Sequence, residues 1–357
     1  MAKTIAVLGV TGNQGGSVAT HFLSLGWNVR GITRNASSSK ALALAQQGIS
    51  IVTADLDTPS TLIPAFSGAH VIFAITDFWA TFLSSYPELK KISNRATGEY
   101  ALSEEVRRGK AIADATAHVL KEEGVLERFV YSTLPNFTEQ SKGKYTYCYH
   151  FDGKAEVSEY LKGKKELWER SSLLNMAFYT SNLSAMGAIL GVTFDKENGK
   201  LIWNKPGANA VLHPWVVPED TGIFAELLVR SPPKQDLLAV NEMASYNAFM
   251  DIWSEVTGVP SEVRAISVQE ADEASPGGLA REAAESNSTS AEFGWGKHLV
   301  MPKDLDPQVR LTTCSKSQLG EKPQEKPYTA TNPSLNTLFS KTAQPTFLPS
   351  QLRENDS

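Results

Sequence analysis

The chain has 357 residues, of which 41% are hydrophobic and 20% charged, and its formal net charge at pH 7 is −5. This length and composition are typical of a soluble enzyme with a sizeable core and about two domains. The acidic balance offers no basic stripe for nucleic-acid phosphates, and the N-terminal apolar run is too short for a signal peptide or a membrane-spanning helix, so we expect no direct DNA binding and no membrane association.

The first predicted element is a short apolar strand that ends at the sequence GVTGNQGG, followed by an amphipathic stretch over residues 17–25. A dinucleotide pyrophosphate requires this strand, turn and helix context, in which glycines let the backbone approach the phosphates and free helix amides face the negative charge. Gly9 would start the turn and Gly12 would allow the approach. Either Gly15 or Gly16 would let the helix pack closely against the strand. A turn without a ligand is the alternative, since the order is GxxGxxG rather than GxGxxG.

The second predicted strand, over residues 28–33, indicates which dinucleotide is bound. An Asp or Glu about 20 residues past the glycines would hold the ribose hydroxyl of NAD, whereas an Arg accommodates the 2′-phosphate of NADP. Here Arg34 follows the strand and the next carboxylate is Asp55, so the sequence favours NADP(H). Three serines at 37–39 and Lys40 would add donors to the same phosphate. The alternative is that Arg34 is a solvated loop charge.

Beyond this point predicted strands and helices alternate, which is typical of a parallel sheet covered on both faces. The strands are predicted over residues 50–54, 69–75, 129–132 and 173–179, and the helices over 99–123, before Gly124, and over 153–161. We therefore expect an α/β fold with a Rossmann, doubly wound parallel sheet. Ligands of such sheets lie at the carboxyl ends of the strands. The side chains expected there are Asp55, Thr76, Asp77, Phe78, Ser132, Thr133 and Tyr179.

Residues 77–98 form a segment too long for a simple connection between a strand and a helix. It carries four aromatic residues, Phe78, Trp79, Phe82 and Tyr86. Two interpretations stand: a lid over the site, or a surface segment that packs onto the body through its rings.

Beyond about residue 183 the chain lacks a recognisable catalytic motif. The predicted organisation is a Rossmann domain over residues 1–182, a smaller α/β substrate or partner domain over 183–310 and a disordered tail over 311–357. The sequence from residue 213 is predicted to be a strand that returns to the main sheet, with a capped helix over 223–229. The apolar spacing over residues 247–256 is typical of core packing, and residues 269–290 are predicted to be a solvated helix or loop.

Metal and thiol chemistry are not favoured. No CxxC, HExxH or GK[ST] sequence and no ligand-type histidine spacing occurs, so we expect neither a metal site nor a hydrolase or nucleotide triphosphatase. The two cysteines, Cys148 and Cys314, make no disulfide framework, which favours the cytoplasm, with the nucleus also open. Cys148 is either an inert buried thiol or one that responds to oxidants because a nearby cation lowers its pKa.

The sequence YHFDGK at residues 149–154 lies where a dehydrogenase of this architecture places its catalytic pair. The glycine turn, TRN after the second strand, FAITDFW after the fourth and HFDGKAEVSEYL together resemble the NmrA-like family, an atypical branch of the short-chain dehydrogenase/reductases, and its redox-sensor members in particular. The resemblance runs from the N-terminus to about residue 305. It implies a Rossmann domain, a smaller C-terminal domain and a preference for NADP(H).

The resemblance also implies which residues hold the cofactor and which do the chemistry. The cofactor-binding positions are Gly9, Val10, Thr11, Gly12, Asn13 and Gln14 at the pyrophosphate, Arg34 and Lys40 at the 2′-phosphate, Asp55 and Leu56 beside the adenine, Thr76, Asp77 and Phe78 along the cofactor, Lys110 reaching it from the helix before the fifth strand, Lys154 at the nicotinamide ribose, and Tyr179, Thr180, Ser181 and Asn182 over the nicotinamide.

The sequence departs from the wider superfamily at the catalytic pair. Typical members use YxxxK, whereas here the spacing gives His150 before Lys154, and Tyr149 would be turned by about 100° on a helix. Histidine titrates near neutral pH, with an unperturbed pKa of about 6.5, and can replace the tyrosine as an acid or base. Lys154 is the first candidate for the proton donor, by likeness to plant members of related branches, and His150 is the second.

Two functions follow from different classes. The first is an NADP(H)-dependent reductase of a small organic carbonyl, enone or imine, with a role in specialised metabolism. The second is a redox sensor that binds NADP(H) without turnover and acts on a regulatory protein partner. The aromatic segment favours a bound organic substrate, while the missing tyrosine favours the sensor. The sequence leaves the substrate and the oligomeric state open.

Overall fold

The computed structural model describes residues 2–183, 187, 190–207, 211–296 and 298–314. The tail predicted over residues 311–357 therefore lies almost wholly outside the described residues, from 315 onwards. Within the described part, no helix combines the length and the apolar character needed to cross a membrane.

The described strands and helices alternate through the first half of the chain. The strands are β1 Thr4–Leu8, β2 Asn28–Thr33, β3 Ser50–Thr53, β4 Val71–Ala74, β5 Arg128–Thr133, β6 Ser171–Met176, β7 Phe178–Tyr179, β8 Val192–Asp195, β9 Lys200–Pro206, β10 His213–Val216, β11 Asp236–Ala239, β12 Glu242–Ala244 and β13 Ser261–Ile266. The helices are α1 Asn13–Ser24, α2 Ser39–Gln46, α3 Leu62–Phe66, α4 Phe78–Leu89, α5 Ala96–Glu123, α6 Phe137–Gln140, α7 Tyr149–Gly163, α8 Lys165–Trp168, α9 Thr221–Arg230, α10 Tyr246–Thr257, α11 Val268–Ala274, α12 Leu279–Phe293 and α13 Pro302–Leu305.

The main sheet has seven strands in the order β11-β6-β5-β4-β1-β2-β3, and every pairing in it is parallel. The expected Rossmann, doubly wound fold is thereby confirmed. The strand order reverses between β1 and β4, because β2 and β3 extend the sheet on one side and β4 continues it on the other. Ligands of such sheets lie at this reversal, so the carboxyl ends of β1 and β4 mark the place of the site.

Helices cover both faces of the sheet. On one face α1 and α9 pack through Phe22 and Phe224, and on the other α3, α5 and α7 pack through Phe66, Ile112 and Leu161. Because both faces are covered, all four residues of β4 are buried, as expected for a parallel strand. Helix α5 ends before Gly124, which has φ +70°, so the predicted glycine stop is confirmed.

The remaining strands form two three-stranded sheets, β12-β10-β7 and β13-β9-β8. The strand predicted from residue 213 to return to the main sheet is β10, and it pairs instead with β7 and β12, so that prediction is wrong. The returning strand is β11, parallel to β6. A short apolar run does not specify its partner strand, which explains the error. The division of the chain near residue 183 stays a prediction, and α9 and β11, beyond it, pack on the main sheet.

The prediction of a solvated helix or loop over residues 269–290 is also wrong in its second half. Helix α12 is covered by the rest of the molecule, and Glu282, Glu285 and Thr289 are buried on it. Its buried face consists of small polar and acidic residues, so hydropathy assigns it to solvent. The charges are instead paired inside the protein, which is the condition under which charged groups are buried.

Candidate functional site

A cleft of about 1230 Å³ runs along the carboxyl ends of the main-sheet strands and continues to the smaller sheet β12-β10-β7. We distinguish three parts. The glycine end comprises Gly9, residues 11–15, Arg34 and Lys40. The histidine end comprises His150, Lys154 and their carboxylate partners Glu282 and Glu105. The aromatic end comprises Phe178, His213, Tyr246, Ser286 and Trp295.

The glycine end is built from backbone. Gly9 has φ +65°, a left-handed conformation that glycine adopts without strain. Helix α1 begins at Asn13, four residues earlier than the sequence pattern predicts, and its N-cap Gly12 provides no side-chain cap. The first amides of the helix are therefore left for a ligand at a helix N-terminus, where negative charge is favoured.

Gly15 is the glycine that the close packing of helix and strand requires. A Cβ atom built there would lie 2.3 Å from the Gly9 carbonyl oxygen, whereas one at Gly16 would lie 3.3 Å from the Val10 oxygen. A contact of 2.3 Å is too short for any Cβ atom, whereas a contact of 3.3 Å is close but can be accommodated. The alternative between the two positions is thus resolved by backbone geometry.

Two cationic side chains at the glycine end are exposed and without an ion-pair partner among the described residues. Arg34 and Lys40 are exposed and line the cleft, and neither forms an ion pair with any residue in the described ranges. Among the acidic residues that line the cleft, Asp57 is already paired with Arg107 and Arg108. The hydrogen bond from Arg108 is the main reason that the pKa of Asp57 falls to about 2. The open positive charge at this end is therefore available to an anionic group.

A chain of side chains crosses the cleft floor. The Ser132 hydroxyl donates to Gln14 Oε1 at 2.7 Å, and Gln14 Nε2 donates to the Tyr179 hydroxyl at 2.5 Å. These residues come from β5, α1 and β7, so the chain fixes the start of α1 against both sheets.

Lys154 is held by three oxygens at the histidine end. Its ammonium lies 2.5 Å from Glu105 Oε1, 3.0 Å from the Thr76 carbonyl and 3.2 Å from the Thr76 hydroxyl. The Glu105 side chain is 1% exposed, and a buried carboxylate of this kind needs the lysine charge as its partner. All three donors of the ammonium are used.

His150 lies one helical turn before Lys154, on the same face of α7. Its Nδ1 contacts Glu282 Oε1, which also accepts the His150 backbone N–H at 3.1 Å. Glu282 is completely buried. The imidazole lies against the rings of Trp79 and Phe151, at centroid distances of 5.0 and 4.4 Å. One ring nitrogen is thus held, and Nε2 has no hydrogen bond to a described residue.

Tyr149 points away from the cleft, as its helical position predicts. Its ring covers Gly98, where a Cβ would lie 2.2 Å from the ring, and its hydroxyl accepts a bond from Arg95 at 3.0 Å. The tyrosine of the usual YxxxK pair is therefore not replaced by this neighbour.

Most predicted site residues lie together in the cleft. Those lining it are Gly9, Thr11, Gly12, Asn13, Gln14, Arg34, Lys40, Asp55, Leu56, Thr76, Asp77, Phe78, Ser132, Thr133, His150, Lys154, Tyr179, Ser181 and Asn182. Their roles toward a cofactor stay predictions.

Three predicted residues do not line the cleft. Val10 packs in the core below the turn and Thr180 is buried, with its N–H donating to Val216. Lys110 was expected to reach a cofactor, but its ammonium pairs with Glu156 at 3.0 Å on the outer side of α5 and α7. Arg108, two residues earlier on α5, lines the cleft instead.

The aromatic segment after β4 is a helix rather than a long loop. Phe78 and Phe82 are buried in a cluster with Ala101 and Tyr147, which agrees with the packing interpretation. Trp79 lines the cleft beside His150, so one ring of the segment also covers the site.

Cys148 agrees with the inert-thiol alternative. It is buried beside Thr289, 3.7 Å from its hydroxyl, and burial raises the pKa of the thiol far above its usual range. A thiol with a raised pKa is a poor nucleophile.

Sequence reasoning missed the residues that hold and extend the site. Glu105 and Glu282 lie 49 and 132 residues from their partners, and no local pattern connects them. The residues of α12 that line the cleft do carry a signal, since 283, 286, 287 and 290 follow the spacing of one helix face.

Comparison with known proteins places the chain in a family. The model of the NmrA-like family matches residues 1–313. The NmrA-like family domain-containing oxidoreductase malD of Malbranchea aurantiaca is 28% identical over 274 residues, which cover 72% of this chain and 73% of that protein.

Solved structures show the same fold. NmrA, a negative transcriptional regulator, superimposes with a TM-score of 0.65 at 17% identity, covering 90% of this chain and 96% of that one. The triphenylmethane reductase of Citrobacter sp., complexed with NADP(H), gives a TM-score of 0.61 at 17% identity and covers 89% and 99%. With its glycine turn, reversed strand order and matching family model, the chain belongs to the NmrA-like family.

Proposed function

We propose that the protein is an NADP(H)-dependent reductase of a small organic carbonyl, enone or imine. The observation that carries the proposal is a single cleft that joins a glycine turn with two open cations to a histidine held by a buried carboxylate. The first feature suits a dinucleotide phosphate, and the second suits proton transfer to a substrate.

The residues at the glycine end fit NADP(H). The uncapped start of α1 faces the place of the pyrophosphate, and Arg34 with Lys40 would hold the 2′-phosphate. No carboxylate follows β2 to favour the ribose hydroxyl of NAD. NADPH, when bound, supplies a hydride. The triphenylmethane reductase, whose solved structure is complexed with NADP(H), has the same fold.

At the histidine end we assign proton transfer to His150 and a holding role to Lys154. The three donors of the Lys154 ammonium are taken by Glu105 and Thr76, so it acts as a fixed charge beside the nicotinamide ribose. His150 has one nitrogen held by Glu282 and Nε2 free of bonds to the described residues, the arrangement of a general acid or base oriented by a carboxylate. This assignment reverses the order that the sequence favours.

A non-catalytic redox sensor is the second candidate. The observation that favours it is the position of Tyr149, whose hydroxyl is bound to Arg95 away from the cleft, so the usual proton donor is missing. The NmrA neighbour is itself described as a negative transcriptional regulator.

Titration of the purified protein with NADPH, NADP⁺ and NADH, followed by NADPH oxidation with carbonyl, enone and imine panels, separates the two. We expect tight NADPH binding and oxidation with at least one class. His150→Gln should lower kcat about 100-fold, the usual size of an acid–base contribution, and Lys154→Ala should weaken NADPH binding.

Lys110→Ala serves as the matched lysine control, because its ammonium lies outside the cleft. Tight binding without turnover on any panel would favour the sensor, and binding of neither dinucleotide would contradict both functions.

A further inference from the structure

The aromatic end of the cleft holds a buried histidine with an unused nitrogen. His213 is 1% exposed and lines the cleft. Its Nδ1 lies 2.9 Å from the Ser290 hydroxyl, while Nε2 has no hydrogen-bond partner among the described residues. A buried polar atom without a hydrogen-bond partner destabilises the folded protein, so a ligand that bonds to this nitrogen would remove that penalty.

The surrounding bonds indicate that Nε2 carries the proton. Trp295 Nε1 donates to the Ser290 hydroxyl at 2.8 Å, which occupies that oxygen as an acceptor. The Ser290 proton then has His213 Nδ1 as its acceptor in the described part of the chain. Burial, and secondarily the charge of Lys205, lower the pKa of His213 to about 3. The ring is therefore neutral at physiological pH and donates through Nε2–H.

A buried lysine, Lys205, packs among the aromatic rings next to this end. It is completely buried, and its Nζ lies 4.4 to 5.0 Å from the ring centroids of Tyr246, Trp203 and Phe178. No described residue forms a hydrogen bond with this Nζ, and burial lowers its pKa well below the usual value. Lys205 lies behind the wall of the cleft, with the Tyr246 ring also in contact with His213 at 4.1 Å.

A second donor lies on the facing helix. Ser286 is 6% exposed, and its hydroxyl has no oxygen or nitrogen hydrogen-bond partner among the described residues. Its neighbour on the protein side is the Cys148 thiol, a weak hydrogen-bonding group. The rings of Phe178, Tyr246 and Trp295 also line this end of the cleft.

We propose that the aromatic end is a substrate subsite for a neutral, flat ring compound, whose acceptor oxygen is held by His213 Nε2–H and the Ser286 hydroxyl. The subsite joins the histidine end, because Trp295 contacts Phe151, the residue after His150, at 5.4 Å. It deepens the proposed reductase function, on which it rests only for the fate of the bound compound. Binding itself requires no turnover.

The test is a binding measurement with two matched pairs of probes, 1-tetralone with tetralin and xanthone with xanthene. Each pair shares a ring skeleton, and only the first member has a carbonyl oxygen. Calorimetric titrations are run on the full chain, with and without NADP⁺. We expect at least tenfold tighter binding of a ketone than of its hydrocarbon or ether counterpart, and a loss of most of that preference in His213→Phe and in Ser286→Ala.

Ser288→Ala and His118→Phe are the matched controls and should keep the preference, since Ser288 is on α12 without lining the cleft and His118 is exposed on α5. Equal affinity within both pairs, or no binding of any probe, would overturn the subsite. So would an unchanged preference in both cleft variants with melting temperatures near that of the parent. A retained preference in a protein that never oxidises NADPH would reject the reductase and keep the subsite.

Discussion

The glycine end and the histidine end of the cleft are built in different ways. The glycine end uses backbone amides and exposed side chains from residues 9–40, close together in the chain. The histidine end uses two basic side chains of one helix, each bound to a carboxylate of another helix that is at most 1% exposed. The first therefore depends on local backbone shape, and the second on charge pairs that only the complete fold assembles.

The largest expected effect tests the backbone shape. Gly15→Ala places a Cβ 2.3 Å from the Gly9 oxygen, so the turn or α1 must shift. We expect at least a 100-fold loss of NADPH affinity in titrations and a destabilisation of about 3 kcal/mol, the upper range for an overpacked site. Gly16→Ala, with its nearest contact at 3.3 Å, is the control and should lose far less. Equal losses in both variants would contradict the assignment of Gly15.

A smaller effect is expected from the charge pair at the histidine end. Glu282→Gln keeps the shape of the side chain but removes the charge that Nδ1 of His150 contacts. We expect about a 30-fold lower kcat with little change in KM. Glu159→Gln, an exposed change on α7, is the control, and an unchanged kcat in Glu282→Gln would count against the positioning role.

The same contrast explains what the sequence could predict. The turn, the end of β2 just before Arg34 and the stop of α5 at Gly124 follow from residues adjacent in the chain, and the structure agrees with all three. The role of Glu282 could not be predicted, because its partner lies 132 residues away and the hydropathy of its helix predicts exposure to solvent. Burial of a charge becomes favourable only once the partner is in place.

A third test concerns the open cations of the glycine end. Arg34→Ala should weaken NADPH binding about tenfold and leave NADH binding nearly unchanged, because a charge-assisted hydrogen bond to the 2′-phosphate contributes about 1.5–3 kcal/mol, part of which solvent screens. Arg264→Ala, an exposed arginine on β13, is the matched control. Equal weakening of both dinucleotides would show that Arg34 is a solvated loop charge without preference for the phosphate.

The smallest effect is expected for an exposed charge pair, that of Asp57, in contrast to the buried pairs of the histidine end. The pKa of Asp57 is lowered from 3.8 to about 2, chiefly by Arg108, so its pairing stabilises the folded chain above pH 4 and the contribution is lost as the pH falls through about 2. Because Asp57 is 42% exposed, solvent limits the contribution to at most about 1 kcal/mol. Asp57→Asn should therefore lower the melting temperature by at most about 2 °C at pH 7 and converge with the parent near pH 2. Asp251→Asn, on α10, provides the baseline for loss of one carboxylate. A difference from the parent that stays constant down to pH 2 would show that Asp57 acts through packing rather than charge.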